Sequence, residues 1–175
     1  VNMILDLFLR KLREENYNVD SKIIVEGFSS GGMWANRYTL LHPDRVKMAI
    51  IGQSGGWLTM PVYKYKGEDL DWPFGLNDYK DLTGKEYDKY EELKTTPMLV
   101  YIGSEDTEHT HYANSEDIEY FELWGDPDFY RLDNQVDYLK RKGYNADFKL
   151  FPNLGHNITF RTEEYTEEFL RENIN

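Results

Sequence analysis

Apolar residues at the start of the chain fall at helical spacing: Ile4, Leu5, Phe8, Leu9 and Leu12 share one face, with Arg10, Lys11, Arg13 and Glu14 mostly on the other. That spacing predicts an amphipathic helix from Val1 to Leu12. A dense apolar run, Ile23-Ile24-Val25, reads as a strand. Met33, Trp34, Ala35, Tyr38 and Leu41 then return to helical spacing up to the breaker pair His42-Pro43. Short apolar segments from Val46 to Ile51 and from Met98 to Ile102, the second ending at Gly103, predict two buried strands. Leu132, Val136 and Leu139 mark a helix that stops at Gly143, Ala146 to Phe151 forms a fourth strand, and an amphipathic helix runs from about Thr162 to Arg171.

Helices thus alternate with strands, and the connections between strands are long enough for crossovers. The expectation is an α/β fold with a mostly parallel sheet flanked by helices. Residues from Ser54 to about Lys94 form a long polar and aromatic excursion between the second and third strands. No repeat, low-complexity tract or linker divides the chain, so residues 1–175 read as a single domain.

Composition narrows the functional classes. Asp and Glu outnumber Lys and Arg 32 to 20, a formal charge of −12 that repels nucleic acid and anionic membrane surfaces. The absence of cysteine removes disulfides, thiolate catalysis and zinc-thiolate sites, and leaves the redox compartment open. No apolar run approaches the roughly 18 residues of a membrane span. The expected product is soluble, cytoplasmic or secreted, with no cofactor and no metal. Because the chain opens without methionine and inside a predicted helix, further sequence is expected upstream.

The chemistry begins where the first strand meets the second helix. Gly27-Phe28-Ser29-Ser30-Gly31 fits the G-x-S-x-G pattern of a nucleophile elbow, in which a strained turn projects the serine hydroxyl from the strand end. The amides opening the following helix are aimed at the same place and suit a developing oxyanion. Gly52-Gln53-Ser54-Gly55-Gly56 has the same spelling, but its glycines and Pro61 cannot start a regular helix. Ser29 is therefore the expected nucleophile, and Ser54 marks a loop at a strand end.

A serine hydroxyl needs a base within reach, and the base needs an acid to hold its tautomer. Asp106 and His156 both follow predicted strand ends, the rim where open parallel sheets bind ligands, and the order serine, aspartate, histidine suits this arrangement. Glu105 and Glu108 compete with Asp106 for the acid. His42, His109 and His111 compete with His156, although His42 before Pro43 reads as a structural turn residue. His109 and His111 beside Asp106 and Glu108 could in principle bind a divalent metal, but they lack the helical spacing of a known zinc motif. Glu116, Asp117 and Glu119 read as a solvated acidic loop. Phe28, Trp57 and Trp72 are candidates to wall a substrate pocket, the alternative being a loop pinned by its own rings.

With these motifs in place, the chain resembles an α/β-hydrolase of the esterase and polyester-depolymerase-like group. The resemblance spans nearly the whole chain and includes His42-Pro43-Asp44-Arg45-Val46, Trp72-Pro73-Phe74-Gly75-Leu76, Gly103-Ser104-Glu105-Asp106 and Leu154-Gly155-His156. It implies Ser29 as nucleophile, Asp106 as acid, His156 as base and the Ser30 backbone N–H as one oxyanion donor. The implied substrate is a small-molecule or polymeric carboxylic ester, and the rivals are a peptidase of the same fold and a non-catalytic binding protein. It also implies a fold lacking its early strands, with the elbow strand unpaired on one side. The second oxyanion donor normally comes from an early loop, and its loss costs about 100- to 1000-fold in rate.

Overall fold

The computed structural model describes residues 2–107 and 115–174. Helix α1 (Asn2–Glu14) leads into strand β1 (Ile23–Phe28), helix α2 (Ser30–Leu41), a 3-10 turn at Pro43–Arg45 and strand β2 (Val46–Gly52). The excursion that follows holds the two-residue strands β3 (Lys64–Tyr65) and β4 (Glu68–Asp69) and the short helices α3 (Tyr79–Thr83) and α4 (Tyr90–Thr95). Strand β5 (Met98–Gly103), helices α5 (Ser115–Trp124) and α6 (Asp128–Arg141), strand β6 (Ala146–Phe151) and helix α7 (Phe160–Asn173) complete the order.

The main sheet runs β1-β2-β5-β6 and every pairing in it is parallel, as the alternation predicts. Its two central strands read as continuous apolar runs because helices cover both faces. Met48, Ile50, Ile51 and Leu99 are fully buried there, each side chain stabilising the fold by about 1.5–3 kcal/mol. Among the described residues, β1 pairs only with β2.

Two predicted faces differ from expectation. Leu9 is buried and Leu5 and Leu12 are half-buried, but Ile4 is 69% and Phe8 57% exposed: α1 is tied through Asn2 to Tyr38 and His42 and through Asp6 to Arg45, and turns only part of its stripe inwards. The acidic stretch around Glu116, Asp117 and Glu119 belongs to helix α5 and is not a loop. Its apolar partners decide this: Tyr120 and Trp124, one turn apart, are buried against the core while Glu119 stays exposed.

Helix α2 lies almost in contact with the backbone of the sheet. A Cβ added at Gly27 would stand 2.0 Å from the Gly31 carbonyl oxygen, and one at Gly32 would stand 2.5 Å from the Gly52 oxygen. At Gly31, by contrast, a Cβ would meet nothing within 4 Å. The spatial constraint therefore falls on Gly27 and Gly32, not on both glycines of the G-x-S-x-G spelling. Gly27→Ala and Gly32→Ala should each destabilise by about 1–3 kcal/mol or more in urea titrations. Gly31→Ala should range from neutral to stabilising by up to about 1 kcal/mol. Equal losses at all three positions would show that the helix does not sit this close.

Candidate active site

Ser29 occupies the turn between β1 and α2 with φ 57° and ψ −125°, a left-handed backbone that a residue with a Cβ adopts only under constraint. Its N–H donates to Gly52 O at 2.9 Å, and its own carbonyl accepts from Met33 N–H at 3.0 Å, so both sides of the turn are tied. Ser30 opens α2, and its amide belongs to the first helical turn, where N–H groups have no intrahelical acceptor.

Beyond β5 the chain is anchored to the loop after β6. Ser104 N–H donates to Phe151 O and Glu105 N–H to Leu154 O, both at 2.9 Å. These ties turn Asp106 inwards and Glu105 outwards, so Asp106 is buried while its rival is exposed. The Asp106 Oδ2 lies 2.9 Å from Nδ1 of His156, whose side chain keeps 14% of its surface exposed. An ionised carboxylate only accepts, so the proton between them sits on Nδ1 and the acceptor lone pair of the neutral ring lies on Nε2. The His156 ring also packs on Phe28, the residue before Ser29, with centroids 4.7 Å apart. Elements ending β1, β5 and β6 thus meet at one rim.

The remaining candidates are held in other contacts. Ser54 is fully buried, and its hydroxyl donates to Trp57 O at 3.1 Å in a turn that opens no helix. His42 caps the far end of α2, about 20 Å from Ser29 at the helical rise. It packs on the Tyr38 ring, and burial holds its imidazole below the ordinary histidine value. Trp57 and Trp72 gather around Arg37, whose guanidinium carbon lies 5.2 and 5.8 Å from their ring centroids, and Trp57 also packs on Phe74 and Tyr120. Of the three proposed wall residues, Phe28 is the one in contact with His156. Glu108, His109 and His111 lie outside the described residues. Among the described residues, no group of three or more His, Asp or Glu side chains could hold a metal ion, and no helix is long and apolar enough to cross a membrane.

One residue at the rim is not visible from sequence. Gln53 ends the apolar run of β2, is fully buried and has φ 44°. A polar residue closing an apolar strand is the only signal it leaves.

Residues 7–118 match the prolyl oligopeptidase family. No curated protein matches the chain. Among solved structures, the chain is similar to the poly(3-hydroxybutyrate) depolymerase LpqC of Bordetella parapertussis, with 16% identity and a TM-score of 0.70 over 97% of this chain and 57% of that one. It is similar to SOBER1 of Arabidopsis thaliana, with 16% identity and a TM-score of 0.52 over 99% of this chain and 62% of that one. It is also similar to acyl-protein thioesterase 2 of Zea mays, with 16% identity and a TM-score of 0.50 over 92% of this chain and 60% of that one. The chain spans about three fifths of the length of these structures. At such identities the likeness shows the α/β-hydrolase fold.

Proposed function

The chain belongs to the prolyl oligopeptidase family, and we propose that it supplies the nucleophile, acid and base of a serine hydrolase acting on carboxylic esters. The observation that carries this reading is the His156–Asp106 hydrogen bond, 2.9 Å long, set against Phe28 and so one residue from the constrained Ser29. In the proposed reaction the Ser29 hydroxyl adds to the ester carbonyl while His156 Nε2 takes its proton. Asp106 holds the imidazole in the required tautomer and stabilises the imidazolium without becoming protonated. The tetrahedral oxyanion is met by the Ser30 amide at the α2 N-terminus. As the intermediate collapses, His156 returns the proton to the departing alcohol. Water, deprotonated by the same histidine, then releases the acid and restores the serine.

The ester assignment draws on the solved relatives described as a depolymerase and a thioesterase. A second reading, cleavage of a peptide bond, is favoured by the family match over residues 7–118. The same three groups can attack an amide, so the choice rests on the pocket around them.

A fluorophosphonate should add one adduct to the complete protein. Ser29→Ala should abolish it and Ser54→Ala should leave it, so labelling that survives Ser29→Ala rejects the nucleophile. Asp106→Asn should lower kcat by about 10,000-fold with the fold intact, because the imidazole is then held in the wrong tautomer. Turnover of short p-nitrophenyl esters should far exceed that of matched anilides. Comparable anilide rates would favour the peptidase.

A further inference from the structure

We infer that Gln53 is a positioning residue that holds the loop carrying His156 in register with Ser29, an inference that rests on the serine-hydrolase reading above. The loop between β6 and α7 is fastened upstream of His156 by Asn153 N–H donating to Ser104 Oγ and by Leu154 O accepting from Glu105 N–H, both at 2.9 Å. Downstream, Gln53 Nε2 donates to the Asn157 carbonyl at 3.1 Å across the rim from β2. The histidine therefore stands between two ties, one from the strand that presents the acid and one from the strand beside the elbow.

The backbone of Gln53 carries the same linkage to the nucleophile. Its neighbour Gly52 accepts the Ser29 N–H at 2.9 Å, and the Gln53 N–H itself donates to Tyr101 O at 2.8 Å. Movement at this residue is thus shared by the elbow and the histidine loop. With Nε2 facing a carbonyl oxygen, the amide can point only one way, since its own oxygen in that place would oppose the carbonyl.

The side chain is held at a cost to the fold. Gln53 has 0% of its surface exposed and a φ of 44°, and its Oε1 is buried with no hydrogen-bond partner among the described residues. A buried acceptor left unmade destabilises, and so does a left-handed backbone outside glycine. Asn157 is exposed, so its carbonyl could be hydrated without Gln53. Stability alone gives little reason for an amide here, and placement of the histidine gives one.

Two variants of the complete protein test this. Gln53→Met keeps the length and loses the donor, while Gln53→Asn keeps an amide that suits the left-handed backbone but falls one methylene short of Asn157. Both should fold, with the Gln53→Met melting temperature equal to or above that of the parent. In both, kcat for ester hydrolysis should fall about 10- to 100-fold with KM unchanged, the signature of misplaced reacting groups. The downfield proton resonance of His156 Nδ1–H, sharp in the parent and in Ser29→Ala, should broaden in both variants. A resonance as sharp as the parent's in both variants overturns the inference, as does an unchanged kcat or a loss confined to KM. Should the parent protein hydrolyse no ester or anilide, the functional reading fails by itself. The resonance still decides the role of Gln53, because it reads the His156–Asp106 bond directly.

Discussion

The hydrogen bond between His156 and Asp106 is the tie on which the rim depends. It joins the end of β5 to the loop after β6 across 50 positions of sequence, and it does so at a carboxylate removed from water. A buried carboxylate is tolerated only when it is hydrogen-bonded, and a hydrogen bond to a charged group contributes about 1.5–3 kcal/mol. The same contact therefore serves the fold and, in the proposed reaction, the chemistry. The parallel sheet makes the contact possible, because strands running in one direction deliver their C-terminal ends, and the loops that follow, to one edge.

The Ser29 side of the rim is built by a different constraint. Gly27 and Gly32 let α2 press against β1 and β2 until backbone meets backbone, and the turn between them has no relaxed conformation open to Ser29. The strain at φ 57° is offset by bonds on both sides of the turn and by the packed helix behind it. The glycines thus set where the hydroxyl stands, and the Asp106 tie sets where the imidazole stands.

Much of this was legible in the sequence because local signals and the fold agree. Strands β1, β2 and β5 hold short apolar runs with no competing helical period, and β6, which alternates apolar with charged residues, falls where Ala146 to Phe151 predicts it. Ser29 was legible as an elbow from its flanks, and Asp106 and His156 from their positions after strand ends. The preference for Asp106 over Glu105 rested on its place in the turn after Gly103, and the bonds of Ser104 and Glu105 to the β6 loop, which give that turn its direction, were not legible. Helix α5 was read as a loop because its acidic face dominates its composition, while the rings that bury it are only one turn of helix. The link from Gln53 to Asn157 was not legible, because the two lie 104 residues apart and only the polar residue closing an apolar strand marks one end of it. Trp57 and Trp72 show the same limit: their rings read as a substrate wall or as a loop pinned by its own rings, and their gathering around Arg37 was not legible.

The central claim is that three side chains from distant segments converge, hydroxyl to imidazole to carboxylate. A crystal structure of the complete protein measures it most directly, through the distance from Ser29 Oγ to His156 Nε2 with His156 Nδ1 still on Asp106. The account predicts a separation of about 2.6–3.2 Å, or somewhat looser in the absence of ligand. An imidazole turned away from Ser29, with no loop movement able to bring it back, would contradict it.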